Sequence, residues 1–544
     1  MFISVAENRF RPRIVVICTH LRRDRSKRRS RDPLQPITGL HIASFIDPDQ
    51  YEVVLYHENW HGPFDTSRCP SCALVFLTGL HADFDRMRQL SYHFRRQGAV
   101  VVAGGNFCTL FPDFAAQFFD CVCVGGVESI RTLLQDYEAG QVQRIYRSSQ
   151  AITPVHEVPY ELLDGNDLNL PFHLLEASRG CSFRCKFCVI PAEQAHHAPY
   201  SLDSLQFSLD RALSSAPWTS LRRWYPIVWL MDNNASDSAE HLMQVSDLMG
   251  RDKCVRAWGA LVTQNILKDR KLLATLRARK CRMLFAGLES LDIEFLRRSN
   301  KKQNLANVGS VISDMLYAES IGITLAYGFL FDPRYSTVED IRAQLGAIAR
   351  SRGTPLPAFC SALIPLPGTA TFWESVDKGE LRPNIRLRDM DGECIVFSNA
   401  RDDDRSLTEL SRMLHAAPGR LFNRRSIAVT TLHRLRNIGF GSFLNWIAAL
   451  GSIARYLGYA NSYQHADSRS YIAGRDRLDP QYSEYPVGIS AADRIRYFDP
   501  VMVTDDNGAV EGWIRAARPE QTGQENRHFR PRVAVTNVTA RMTE

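Results

Sequence analysis

The sequence predicts an α/β protein: an N-terminal Rossmann-like parallel-sheet domain, an incomplete (β/α)6 barrel, and a mainly helical C-terminal region. Three observations predict it. Short apolar, β-rich runs recur with helix-like stretches between them, which implies parallel sheets covered on both faces. The runs fall into two arrays, one within residues 1–150 and one within 170–375, separated by a Pro-, Asp- and Asn-rich linker over 151–169. Beyond Pro365-Leu366-Pro367-Gly368-Thr369 the strand pattern gives way to helical periodicity.

In the first array the expected strands are 14–18, 53–56, 73–77, 99–103 and 121–124, with a helix over 84–97. Ligand loops in such sheets follow the strand ends. Here those ends read Ala103-Gly104-Gly105-Asn106 and Val124-Gly125-Gly126-Val127-Glu128. Paired glycines let backbone approach a ligand closely. Neither loop is a Gly-x-Gly-x-x-Gly fingerprint, so a nicotinamide or flavin dinucleotide is not indicated.

In the second array six strands are expected, over 173–177, 227–231, 255–261, 283–287, 324–331 and 359–364, with helices over 266–278 and 305–320. Six βα units in about 200 residues fit an open parallel barrel with its site at the C-terminal strand ends. Helices are expected over 407–415 and 443–457 within a region spanning 376–475, and a polar, extended or disordered tail over 476–544. The 443–457 stretch carries a broad apolar face, read chiefly as core packing with membrane-surface contact as the second option.

At 544 residues the chain exceeds one typical domain. Its 45% hydrophobic and 23% charged residues match an ordinary globular protein. A net charge of +7 is small for this length and indicates no nucleic-acid partner. Much of the excess sits at Arg22, Arg23, Arg25, Lys27, Arg28, Arg29 and Arg31, read as a solvated loop. Without a signal peptide or a run of 18 apolar residues, a cytoplasmic location is expected. Thirteen cysteines are then read as thiols or metal ligands and not as disulfides. Cys69-Pro70-Ser71-Cys72 is taken as incidental, and Cys108, Cys121, Cys123, Cys254, Cys281, Cys360 and Cys394 as buried small apolar residues.

Three cysteines stand apart. Gly180-Cys181-Ser182-Phe183-Arg184-Cys185-Lys186-Phe187-Cys188 lies where the first barrel strand should end. A structural zinc site wants four protein ligands, and no fourth cysteine or close histidine follows before His196 and His197. An iron-sulfur cluster held by three cysteines leaves one iron without a protein ligand, able to accept a cofactor. A structural zinc or iron site is the alternative.

Cys-x3-Cys-x2-Cys with an aromatic before the last cysteine, inside an incomplete βα barrel, resembles the radical S-adenosylmethionine superfamily over residues 165–375. The resemblance implies a [4Fe-4S] cluster on Cys181, Cys185 and Cys188, whose open iron binds the amino and carboxylate groups of S-adenosylmethionine. Reductive cleavage then yields a 5'-deoxyadenosyl radical that attacks an unactivated carbon, with flavodoxin or ferredoxin as the kind of reductant. It places Phe187 near the adenine. It puts Asp232, within Trp229-Leu230-Met231-Asp232-Asn233-Asn234, where the family often has Gly-Gly-Glu; a helix N-cap is the other reading of Asp232. Glu289, in Gly287-Leu288-Glu289-Ser290, is placed to meet the cofactor's ribose or amine, with a barrel salt bridge as the other reading.

A Rossmann-like domain before such a barrel resembles the branch with an N-terminal cobalamin-binding domain, which includes enzymes of anaerobic porphyrin ring closure, hopanoid methylation and natural-product methylation. Pro36-Ile37-Thr38-Gly39-Leu40, Gly104-Gly105-Asn106 and Gly125-Gly126-Val127-Glu128 match similar motifs there. The resemblance implies cobalamin against Gly104, Gly105, Gly125 and Gly126, and a lipid-like or tetrapyrrole small-molecule substrate. The Asp-x-His-x-x-Gly motif is absent. His20 follows the first strand, but Cys18-Thr19-His20 lacks both the acid and the glycine, so it reads as a structural histidine. The function expected is methyl transfer or bond formation at an unactivated carbon. Two alternatives remain: a cobalamin-independent radical enzyme whose first domain docks substrate, and a non-catalytic iron-sulfur sensor.

Overall fold

The structure is a computed structural model, and it describes residues 11–21, 37–69, 72–148, 158–163, 172–351, 353–355, 357–392, 394–416, 471–474 and 485–518. The basic stretch 22–31, the helix expected over 443–457 and most of the linker lie outside the described residues.

Six parallel strands build the first sheet: β1 (Arg13–Cys18), β2 (Glu52–His57), β3 (Leu74–Thr78), β4 (Val100–Gly104), β5 (Cys121–Val124) and β6 (Ile145–Arg147), in the order β2-β1-β3-β4-β5-β6. Alternation along β1 explains why both faces are buried. Ile14 and Val16 pack into one apolar cluster and Val15 and Ile17 into another, and all four are fully buried. β6 was not foreseen, because Ile145-Tyr146-Arg147 is too short and too polar to stand out.

The second sheet runs β14-β13-β12-β11-β10-β7, with β7 (Phe172–Leu175), β10 (Ile227–Leu230), β11 (Ala257–Thr263), β12 (Cys281–Glu289), β13 (Thr324–Phe331) and β14 (Phe359–Ala362) all parallel. This is the expected open six-stranded array in sequential order. A two-stranded antiparallel ribbon, β8 (Ser178–Arg179) with β9 (Ala198–Pro199), brackets the cysteine loop.

The tail requires a correction. Residues 485–518 are ordered against the first sheet and include the helices Ala491–Tyr497 and Gly512–Ala516. Val503 and Ile514 are fully buried in the cluster that contains Val15, Leu77 and Phe84. Trp513 stacks on Phe114 with centroids 4.4 Å apart. The sequence pattern missed this because the apolar residues are sparse and the segment is mostly irregular, so neither helical nor strand periodicity marks it. Cys69 and Cys72 also depart from expectation: they are joined as a disulfide across a Cα separation of 6.4 Å. Cys254 is exposed and not buried. No helix among the described residues is long and apolar enough to cross a membrane.

Candidate functional site

The carboxyl ends of the two sheets face each other. Asn106 Nδ2, just after β4, donates to Glu193 Oε1 beyond the cysteine loop at 2.7 Å. Arg179 Nη1, in β8, donates to Glu128 Oε1 after β5 at 3.0 Å and pairs through Nε with Glu176 at 2.8 Å. His81, after β3, has Nε2 3.3 Å from the Pro367 carbonyl. The edge that ends in paired glycines and the edge that ends in cysteines are thus tied to each other.

Backbone bonds shape the cysteine loop. Gly180, at φ 75°, passes so close to the His196 carbonyl that no Cβ would fit. Its N–H donates to Asn233 Oδ1 at 2.9 Å. Asp237 accepts from Ser182 N at 3.1 Å and from Ser182 Oγ at 2.6 Å, and His197 Nδ1 lies 3.6 Å from it. On the far side Lys186 N donates to the Ser299 carbonyl at 3.0 Å and Asn300 Nδ2 to the Arg184 carbonyl at 2.7 Å. The loop is therefore pinned at both ends and in the middle.

Within it Cys185 is buried, and Cys181 and Cys188 are half-buried. Burial pushes the Cys188 thiol up to about 12, and the charges of Cys185 and Cys181 push the same way. Burial likewise raises the Cys181 thiol, so as thiols Cys181 and Cys188 resist ionisation, and a bound cation would supply the missing positive charge. Among the described residues no three His, Cys, Asp or Glu side chains converge on a single metal ion. A four-iron cluster takes one thiolate at each of three corners, so its ligands need not meet at a point. The donor set fits such a cluster and does not fit a lone structural zinc.

Phe187 is half-buried against Phe295, Leu296 and Leu363, and the Lys301 ammonium lies 5.8 Å from its ring centre. Lys301, itself buried, forms an ion pair with Glu289. Glu289 stands at φ 64°, an uncommon conformation for a side-chain-bearing residue, at a register shift where β12 leaves β13. Of the two readings of Glu289, the salt bridge is the one observed, with Lys301.

Asp232 is 1% exposed, and its oxygens accept from Ala177 N at 2.8 Å and Ser178 Oγ at 2.6 Å, so it braces the exit of β7. Burial raises its carboxyl to about 7 despite these bonds. A carboxyl that holds its proton only in the folded state makes stability fall as pH rises from the unfolded value near 3.8 to about 7, and level off above. Asp232→Asn is expected to flatten that decline in thermal melting curves from pH 5 to 8, while a parallel decline in both proteins would count against it. Asn233, Asn234 and Asp237, which the sequence reading passed over, do the work at this strand end. Asp237 sits five residues beyond Asp232, and only the fold brings it to Ser182.

On the opposite edge Gly105 has φ 105°, and a Cβ there would lie 2.5 Å from the Gly79 carbonyl. At Gly104 the nearest atom to an added Cβ is 3.9 Å away, on the side left open. Gly125 has φ 88°, and Gly126 packs on the Glu128 carboxylate. Gly104 ends β4, Gly105 follows it and Gly125 follows β5, so two neighbouring strands both end in backbone without side chains. His20 Nδ1 lies 3.9 Å from Asp83 Oδ1, a buried carboxylate that also accepts from Leu21 N at 2.9 Å and Leu80 N at 3.0 Å. The acid missing from Cys18-Thr19-His20 arrives from the loop after β3. Gly105→Ala is expected to cost about 1–3 kcal/mol, from the positive φ and the carbonyl clash together, read as a lower unfolding midpoint in urea.

No family model matches the chain. It is 25% identical over 365 residues to the bacteriochlorophyllide d C-8(2)-methyltransferase of Chlorobaculum tepidum, covering 63% of this chain and 76% of that protein. It is 26% identical over 300 residues to the bacteriochlorophyllide d C-12(1)-methyltransferase of the same organism, covering 52% of this chain and 61% of that protein, less than two thirds of its length. The solved structure of the cobalamin-dependent S-adenosylmethionine radical enzyme OxsB with aqua-cobalamin bound matches with a TM-score of 0.56 at 12% identity, over 82% of this chain and 75% of that one. The chain is thus similar in fold to the cobalamin-dependent S-adenosylmethionine radical enzyme OxsB and in sequence to the bacteriochlorophyllide d methyltransferases.

Proposed function

We propose that this chain is a cobalamin-dependent radical S-adenosylmethionine enzyme that transfers a methyl group to an unactivated carbon of a tetrapyrrole or similarly large apolar small molecule. The observation that carries the reading is the juxtaposition of the pinned three-cysteine loop with the glycine-bearing edge of the first sheet, tied across by Arg179–Glu128 and Asn106–Glu193. The methyltransferase relatives support the reaction class.

When bound, the cluster supplies an electron for cleaving S-adenosylmethionine and the cobalamin supplies a methyl carrier. The chain's own residues do the positioning. Cys181, Cys185 and Cys188 hold three corners of the cluster and leave the fourth for the amino acid end of S-adenosylmethionine. Phe187 offers an aromatic face at the rim, and Glu289, its charge balanced by Lys301, offers carboxylate oxygen to ribose or amine hydrogens. Gly104, Gly105, Gly125 and Gly126 let the corrin approach the backbone. A small one-electron protein of the flavodoxin or ferredoxin type is the reductant, and the reaction belongs in the cytoplasm. Contact with a membrane surface accompanies an apolar substrate.

The test is anaerobic reconstitution with iron, sulfide and hydroxocobalamin, followed by mass spectrometry of S-adenosylmethionine products and of a chlorin substrate. Retained corrinoid absorbance and a methylated product support the reading. No S-adenosylmethionine cleavage under a strong reductant overturns it.

A further inference from the structure

We infer that Gln303 and Asn234 are outer-sphere donors to the cluster, their amide N–H groups aimed at the sulfurs of Cys185 and Cys181 and setting the cluster's reduction potential. The inference rests on the proposed cluster. Gln303 Nε2 lies 3.4 Å from Cys185 Sγ, and Asn234 Nδ2 lies 3.8 Å from Cys181 Sγ.

Neighbours fix the amide of Asn234 and the backbone that carries Gln303. Asn234 Oδ1 accepts from Ser236 N at 3.2 Å and from Ser236 Oγ at 2.7 Å, so its acceptor side is occupied and its NH2 must face Cys181 and Asp237. Ser236 is held in turn, its Oγ accepting from Thr263 N at 3.0 Å. Gln303 sits between two anchored residues. Lys301 is buried in its pair with Glu289, and Asn304, fully buried, donates to the Gly287 and Leu288 carbonyls at 2.9 Å each. The same segment is stitched to the cysteine loop at Ser299 and Asn300. These bonds fix the backbone that carries Gln303 beside Cys185.

An N–H donated to a cluster thiolate stabilises negative charge on sulfur, and the reduced cluster carries more of it. Each donor therefore favours the reduced form and raises the potential. Asp237 Oδ1, also 3.8 Å from Cys181 Sγ, pushes the other way and is tempered by its bonds from Ser182 and Asn234 and by His197. The balance at Cys181 makes Gln303 the cleaner probe.

The experiment is a spectroscopic redox titration of the reconstituted cluster in full-length wild type, Gln303→Leu, Gln303→Glu and Asn234→Asp, with iron and sulfide counted in each. Asn234→Asp keeps the acceptor that Ser236 needs while deleting the donor. Losing the Gln303 donor is expected to shift the one-electron reduction equilibrium about tenfold toward the oxidised cluster, a midpoint about 59 mV lower. Gln303→Glu, almost isosteric, is expected to lower it further, and Asn234→Asp to lower it as well. Full cluster content with unmoved midpoints in both Gln303 variants overturns the inference and leaves the cluster reading intact. Wild-type protein that takes up no iron or sulfide overturns both.

Discussion

Alanine in place of Cys181, Cys185 and Cys188 together is expected to abolish iron and sulfide uptake and to bring S-adenosylmethionine cleavage down to the uncatalysed background. The fold should survive the change, which is what makes the result informative. The loop's shape comes from Asn233 on Gly180, Asp237 on Ser182, and Ser299 and Asn300 across from Arg184 and Lys186, none of which uses a cysteine side chain. Circular dichroism and the melting temperature of metal-free protein should therefore match the metal-free wild type, while iron analysis and product formation do not. Turnover persisting in the triple variant would remove the cluster from the mechanism. A variant that fails to fold at all would show that the thiols hold the loop, contrary to the bonding just described.

The second large effect is on stability. Asp85→Ala is expected to destabilise the protein by about 3–5 kcal/mol, the range for stripping one partner from a buried ion pair. Asp85 is 2% exposed and accepts from Arg88 Nη1 at 2.8 Å, from Arg388 Nε at 2.8 Å and Nη2 at 2.6 Å, and from Val501 N at 3.1 Å. One carboxylate thereby joins the helix Phe84–Arg96, the segment after the barrel and the C-terminal segment. Its removal leaves two buried guanidinium groups facing each other. Desolvation alone would raise this carboxyl, but Arg388 and Arg88 outweigh it and hold the group below its ordinary value. A carboxyl depressed in the folded state contributes stability that is present above the unfolded value near 3.8 and lost as pH falls through the folded one. Chemical denaturation at pH 7 and at pH 3 tests both statements: the gap between wild type and Asp85→Ala should narrow in acid. Equal gaps at the two pH values would count against this role.

Much of the architecture was legible because parallel sheets write themselves as short continuous apolar runs. β5 and β13 were placed at their observed bounds, and the other expected strands to within two or three residues. The exceptions are instructive. β6 is three residues long, and residues 485–518 bury Val503 from an irregular backbone and Ile514 from a five-residue helix, so neither carries a periodic signal. The three cysteines stood out in the sequence because they fall within eight residues of one another. For Asp232, spacing does not say whether a carboxylate at a strand end faces the site or the backbone, and only the fold shows its bonds to Ala177 and Ser178.

By its sequence alone the chain determined two parallel arrays, a cysteine triad at the end of one and glycine pairs at the ends of the other, since each of these is a local pattern of residue types. Tertiary structure alone decided what surrounds them. Asp83 beside His20, Asp237 beneath Ser182, and Gln303 against Cys185 are separated by 63, 55 and 118 residues. The physical reason is that bonds between side chains so far apart in sequence form only after the strands have stacked and closed the loops between them, and no local propensity records that closure.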